Sequence, residues 1–453
     1  MNIVCRAGLF FLSCRLAGNG VVGRRFFVRS GGEKVGERLV GTIFFITFVA
    51  VCVRVSACAY AIIVMNRIRT LLVALWALCS CAMAQVSDSV EVSLLTCSPG
   101  TEAYQLYGHT AVRVLDLRGG VDAVFNYGVF NFRAPHFVWR FMLGECDYEV
   151  LGYPFELFME EYAERGSSVR EQVLNLSPGE ALRLAMALAE NSRPENRTYR
   201  YNFLSNNCTT KSRDIIEQNL DGHVVYGPSA EHRTYRELLH ELTAESAWSE
   251  VGNDLLLGAA CDTLLSDRAQ QFLPGQLADY VAEAQVFDSL DNRRPLVRRD
   301  ALLLAESRPA AQPEPMLTPL QFGAVVFVLA LFFMLVEYRT RRMFWGLDVL
   351  LMTMQGIMGL LLWFMFFCSE HPTVDTNWQV WPFNPLPLLF IPWVVRCARR
   401  RQVCPYHYVN LLVLALFVLL MPWIPQQFSA LTLPLALVLL TRPVSYLINY
   451  NRR

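Results

Sequence analysis

Residues 205–219 read SNNCTTKSRDIIEQN, and the reading of this stretch decides the rest of the chain. Asn206 or Asn207 is a good helix N-cap. Ile215, Ile216 and Leu220 recur on one face, so the spacing predicts a helix over 209–220 with Cys208 at its first turn. The unpaired N–H groups and macrodipole of a helix start favour an anion. A thiol placed there loses its proton more easily, and the thiolate is the nucleophile. Neighbouring N–H groups can form an oxyanion hole for the intermediate such a nucleophile makes. The chemistry then needs a base. Residues 107–117, YGHTAVRVLDL, read as a strand that carries His109 behind the small Gly108. Gly119-Gly120 is a turn, and 123–130 (AVFNYGVF) is the return strand.

A strand histidine beside a helix-start cysteine is the arrangement of papain-like thiol enzymes. Here His109 precedes Cys208, so the order is circularly permuted. A third group should orient the imidazole: Asn126 on the return strand is the first choice and Asp116 the reserve. Other readings stay open on chemistry alone. Cys208 can be a disulfide partner in an exported domain, and His109 can be a satisfied core histidine. His223, His232, His240 and Cys261 read as structural or surface groups, and the ligand spacing of a zinc site is missing. Arg113 and Lys211 suit ion pairs or a solvated surface better than a phosphate site.

Outward from this pair, 90–96 alternates as a strand, and 154–166, 178–191, 233–242 and 276–288 read as helices. The second helix is expected to present Leu182, Ala185, Met186 and Ala189 on one face. Residues 199–204 read as extended, and 291–317, rich in Arg, Pro and Ala, as a linker. Strands first and helices later suggest an α+β domain.

The chain has 453 residues, 53% hydrophobic and 18% charged, against about 25% charged in an ordinary soluble domain. The apolar excess is concentrated after residue 318. Five spans can be drawn there: 318–337, 346–367, 384–396, 407–424 and 428–441. Arg339, Arg341 and Arg342 follow the first, Arg396 and Arg399–Arg401 the third, and Arg442, Arg452 and Arg453 the fifth. The loops 368–383 and 425–428 contain no Lys or Arg. The positive-inside rule therefore places the preceding domain outside the cytoplasm. Within 368–383, Trp378 and Trp381 read as an interfacial belt, or the polar loop faces the active site.

At Met65 the sequence MNRIRTLLVALWALCSCAMAQ has a basic start, an apolar core and a small-x-small site ending at Ala84. It reads as a signal peptide over 65–84, with 1–64 as an upstream extension; the alternative keeps 42–64 as a membrane anchor. Export implies an oxidising compartment, so Cys97, Cys146, Cys208 and Cys261 can pair. Forty basic and forty acidic residues give no polycation for nucleic acid, and only Lys34 and Lys211 are lysines. There is no GxxxxGK[ST], HExxH or CxxC and no strong GxGxxG after a strand, which disfavours ATP-driven, zinc-protease and dinucleotide readings.

YGHTAVRV, VFNYGVFNF, YNFLSNNCTTKSRD, TYRELLH, NDLLLG and QFLPGQL together resemble the periplasmic domain of Lnb-type bacterial lipoprotein N-acyltransferases. SEHPTVDTNWQVWPFNPLPL, at 369–388, resembles part of the same family's five-helix membrane domain. The resemblance covers about 90–441. It implies a permuted papain-like (NlpC/P60-like) α+β thiol domain over 85–305, a linker at 306–317, a five-span helical domain over 318–441 and a cytoplasmic tail at 442–453. It further implies an inner-membrane protein with its amino-terminal domain in the periplasm. Cys208 and His109 would be catalytic, with Asn126 as a third group that the motifs leave unfixed. Tyr107, Asn207, Thr209, His371 and Asn377 are candidates for substrate or oxyanion binding. The implied reaction moves an acyl chain from a membrane phospholipid, through a Cys thioester, to the α-amine of a diacylated lipoprotein, with no cofactor or metal. A membrane-tethered thiol peptidase or amidase is the alternative.

Overall fold

The computed structural model describes residues 90–131, 133–228, 231–307 and 316–450, with short stretches at 5–6, 9–10, 46–47, 49–50 and 64–74. The chain divides into two units, Met1–Cys81 and Ala82–Arg453. In the first, Cys5–Arg6 pairs with Leu9–Phe10, and 64–74 is helical. The expected cleavage site after Ala84 lies outside the described residues.

The second unit begins with strands β1 (Val90–Cys97), β2 (His109–Asp116) and β3 (Val121–Val129). Helix α1 (Phe137–Leu143) and strand β4 (Asp147–Pro154) follow, then α2 (Phe155–Arg165), β5 (Val169–Leu174) and α3 (Pro178–Asn191). Next come β6 (Thr198–Arg200), α4 (Cys208–Gln218), β7 (His223–Val225), α5 (Tyr235–Thr243) and α6 (Ala247–Leu256). The domain ends with α7 (Asp267–Gln270), α8 (Pro274–Glu283), β8 (Gln285–Phe287), β9 (Arg293–Pro295) and β10 (Val297–Leu304). Seven strands form one antiparallel sheet in the order β10-β5-β1-β2-β3-β4-β6, and β9-β8-β7 form a smaller one.

The large sheet is apolar on both faces because helices cover both. Val92, Leu94, Val112 and Val114 pack with Leu184 and Leu188 of α3, Ile215 and Ile216 of α4, and Leu277 of α8. Leu95, Cys97, Ala111 and Val124 pack on the other side with Phe158 and Tyr162 of α2. Each such buried leucine contributes about 1.5–3 kcal/mol relative to exposure. Helix α3 starts at a reciprocal Ser177–Glu180 capping box with Pro178 in its first turn.

Several expectations need correction. The buried face of α3 is Ala181, Leu184 and Leu188, whereas Met186 is exposed. The expected face was rotated because apolar residues surround most of this helix, so periodicity alone could not choose between stripes. The segment 291–317 is not all linker: β10 pairs antiparallel with β5 and forms the sheet's edge. Its consecutive charged residues, Arg298, Arg299 and Asp300, suit an edge strand, where charged side chains discourage further pairing. Residues 308–315 of the expected linker lie outside the described residues. Strands β4 and β5 interleave with the helices, so strands do not all precede helices.

The membrane part contains α9 (Pro319–Thr340), α10 (Trp345–Cys368), α11 (Leu386–Arg400), α12 (Pro405–Leu420) and α13 (Thr432–Tyr450). Four of them, all but α11, are long and apolar enough to cross a membrane. Helix α11 has 15 residues and contains Pro392. The last helix runs well past residue 441, so Arg442 is not in a tail. It is buried within α13, where its Nε donates to Asp348 Oδ1 (2.7 Å) and its Nη2 to Glu337 Oε1 (2.8 Å).

Two loops between these helices dock on the end of α6 in the sheet-bearing domain, and they are the two without Lys or Arg. Asn377 Nδ2 donates to Leu255 O (2.7 Å), Gln379 Nε2 to Asp254 O (2.6 Å) and Gln426 Nε2 to Leu257 O (3.2 Å). All three side chains are buried. A satisfied, dry polar seam of this kind fixes one orientation, because any shift would leave buried groups without partners.

Candidate active site

Cys208 occupies the first position of α4, and its cap is Asn207 rather than Asn206. Asn207 Oδ1 accepts from the N–H groups of Thr209 and Thr210, both at 2.9 Å. Asn207 Nδ2 donates to Phe203 O (2.7 Å) and Phe272 O (2.8 Å). That buried amide is fully engaged in holding the helix start. The next side chain, Thr209, bonds the Thr110 hydroxyl at 3.1 Å. Thr110 follows His109 and Thr209 follows Cys208, so this buried bond sets the two candidate catalytic residues side by side.

His109 begins β2. Gly108 before it has φ +73°, and a Cβ there would lie 2.7 Å from Cys97 O. Only glycine fits that turn without strain. The imidazole Nε2 is hydrogen-bonded to Asn126 Oδ1. Asn126 Nδ2 donates to the Tyr153 hydroxyl (3.2 Å), so the amide bridges the histidine and the tyrosine. With Nε2 engaged as a donor, Nδ1 is the nitrogen left for the thiol. Gly128 closes the site. A Cβ on it would lie 3.5 Å from Cys208 Cβ and 4.0 Å from His109 Cε1, and its φ is +90° at an irregularity in the β3–β4 pairing.

The electrostatics follow from this packing. Burial alone would raise the Cys208 pKa. Attraction to the His109 imidazolium, with hydrogen bonds from His109, the Thr110 backbone and the Thr209 hydroxyl, outweighs burial and brings it down to about 7. Burial alone would lower His109. The facing Cys208 thiolate, with bonds from Cys208 and Asn126, outweighs it and raises the imidazole above its ordinary value. The other thiols of this domain go the opposite way: burial raises Cys97 and Cys146 and pushes Cys261 up to about 12. All four are free, so the disulfide reading of Cys208 fails.

The remaining candidates separate clearly. The Thr209 and Thr210 N–H groups are taken by Asn207, and Cys208 holds the first helical position. The Asn207 side chain caps the helix, and the Thr209 hydroxyl is bonded to Thr110. Tyr107 packs edge-on against Phe203 and accepts from Asn253 Nδ2 (2.7 Å). Asn377 belongs to the seam between the domains, and His371 is bonded to Phe141 O (2.6 Å). Asp116 lies seven residues along β2 from His109, about 23 Å away at strand spacing. Arg113 is ion-paired with Asp122 and Glu171 at 2.7 and 2.8 Å, and Lys211 sits over the Tyr199 ring. Sequence reading missed Tyr153, because it read no strand at β4, and missed the Thr110–Thr209 bond, which nothing local signals.

His240, Glu250 and Asp254 place possible ligand atoms within 4.8 Å of one another. Asp254 Oδ1 is already bonded to Arg236 (2.6 Å) and His240 (2.9 Å), so the carboxylate is engaged within the protein.

No curated protein and no solved structure matches the chain significantly. Two family models do: the Lnb N-terminal periplasmic domain over residues 83–241 and the Lnb transmembrane domain over 311–453. The first contains both His109 and Cys208, and the second contains all five membrane-part helices. With both domains present in that order, the chain belongs to the Lnb family and has the architecture of the Lnb-type lipoprotein N-acyltransferases.

Proposed function

We propose that this chain is a lipoprotein N-acyltransferase that uses Cys208 as nucleophile and His109 as general base and acid. One observation carries the reading: a lowered thiol at a helix start, paired with an imidazole that Asn126 and Tyr153 hold, in a domain locked onto membrane helices. The permuted papain-like resemblance and the family supply the reaction class.

In the first step the Cys208 thiolate attacks an ester carbonyl of a phospholipid. The carbonyl electrons move onto oxygen, where the Cys208 N–H stabilises them. As the intermediate collapses, the C–O bond breaks, and the His109 imidazolium gives its proton to the departing lysophospholipid oxygen. In the second step the α-amine of a diacylated lipoprotein attacks the thioester. His109 accepts a proton from the amine, the C–S bond breaks, and an amide forms as the Cys208 thiolate returns. The ester supplies the acyl group, so this scheme calls for no nucleotide. Helix α11 crosses with the other four in this reading, which keeps the arginine-rich turns on the cytoplasmic side of the inner membrane and the thiol domain in the periplasm.

Mass spectrometry of lipoprotein amino termini tests the proposal in cells with no other such enzyme. Cys208→Ala and His109→Ala should each leave diacylated lipoproteins with a free α-amine. Normal N-acylation in both variants would falsify it. If purified enzyme releases free fatty acid or cleaved peptide without acylating the amine, the thiol hydrolase alternative holds instead.

A further inference from the structure

Helix α1, FVWRFML, has no buried residue. Val138, Trp139 and Phe141 are 70%, 55% and 45% exposed. Three large apolar side chains together on one short helix would be a poor surface in water. Their position explains them. The Trp139 ring lies 5.1 Å from that of Phe364, near the end of α10, and Phe367 in the final turn of α10 is 67% exposed. The end of α1 is fixed there: Glu370 N donates to Leu143 O (2.8 Å), and His371 Nε2 is bonded to Phe141 O (2.6 Å). The apolar face of α1 therefore continues the exposed surface of a membrane-spanning helix, on the side where the thiol domain docks.

A line of rings leads inward from the same helix. Phe141 neighbours Phe137 (6.1 Å), Phe137 stacks on Phe130 (6.2 Å), Phe130 on Tyr148 (5.0 Å) and Tyr148 on Tyr201 (4.1 Å). Burial first, and then the charge of the Cys208 thiolate, hold the Tyr201 hydroxyl well above its ordinary pKa. The rings thus form a continuous aromatic line from helix α1 toward the nucleophile. Such a line suits a flexible hydrocarbon chain, which needs apolar contact but no directional bonds.

We propose that α1 lies in the outer lipid interface, with Val138 and Trp139 among the acyl chains, and that the aromatic line guides one acyl chain of a membrane lipid to Cys208. The interfacial placement stands on geometry alone; the delivery role rests on the acyl-transfer reading above.

Two measurements on the full-length protein in phosphatidylethanolamine–phosphatidylglycerol vesicles test it. First, a benzophenone amino acid is placed at position 138. Phospholipid crosslinks are expected on illumination, and their absence overturns the interfacial placement. Second, acylation of Cys208 is followed by intact mass with two donors, vesicle phospholipid and water-soluble p-nitrophenyl acetate. Val138→Glu should lower the ratio of phospholipid to acetate rates about tenfold, while Val138→Leu should restore it. An unchanged ratio in Val138→Glu overturns the delivery role. If wild-type Cys208 is acylated by neither donor yet position 138 crosslinks to lipid, the acyl-transfer reading fails and α1 remains an interfacial helix.

Discussion

Cys208 and His109 shift each other in opposite directions: the thiol falls to about 7 and the imidazole rises, each because the partner's charge outweighs the cost of burial. The sign of the pH dependence follows. A thiol with a lowered pKa gains its reactive form as pH rises through about 7, so alkylation of Cys208 by iodoacetamide should rise to half its plateau there. In His109→Ala the burial persists and the attraction is gone, so the midpoint should move above the ordinary thiol value. The rate at pH 7 should then fall about tenfold or more, since each pKa unit is a tenfold change in thiolate. Mass spectrometry of the labelled peptide reads this directly, and an unmoved midpoint would refute the pairing. Asn126→Ala removes the acceptor at Nε2 while the thiol contact stays. It should reduce turnover about tenfold to a hundredfold while Cys208 remains alkylatable, which separates a positioning role from a nucleophilic one.

Among the elements, α4 holds the site because its start is built from backbone bonds that Asn207 makes on both sides. Asn207→Ala would remove a cap and leave the carbonyls of Phe203 and Phe272 short of a donor. The expected loss is about 2–4 kcal/mol of stability, and chemical denaturation of the membrane-extracted protein measures it. Asn207→Asp keeps the cap but loses the amide donor, so it should fall between. Equal stability of Asn207→Ala and wild type would show that the cap does not hold this turn. The aromatic character of β4 and β6 belongs to the same scale: Tyr153 reaches Asn126, Tyr148 stacks on Tyr201, and Tyr199 lies beside Gly128 at the site.

On the scale of the molecule, two buried polar systems organise the helices. One is the seam of Asn377, Gln379 and Gln426 against the end of α6. The other is Arg442 bonded to Glu337 and Asp348, which joins α9, α10 and α13. All three groups of this second cluster are buried, so removing the guanidinium leaves two carboxylates facing each other without compensation. Arg442→Met should therefore cost about 3–5 kcal/mol, seen as a lower unfolding temperature in detergent. The triple change Glu337→Gln, Asp348→Asn, Arg442→Met should recover part of that loss, because no charge then stays buried and unpaired. A single Arg442→Met as stable as wild type would show that the cluster has no structural role.

Sequence alone determined the features that depend on local pattern. The capped start at Cys208, the β2–β3 hairpin, the exact span of α3 and four of the membrane helices follow from residues a few positions apart. Hydrogen-bonding side chains, alternation and apolar length act over that range. What tertiary structure decided was everything that couples distant segments. Tyr153 reached the catalytic amide only through strand pairing, and 297–304 became a strand only because β5 offered an edge to pair with. Arg442 looked like a loop arginine until two carboxylates from other helices compensated its charge. In each case the deciding energy is a contact between residues far apart in the chain, and no window of sequence contains both partners.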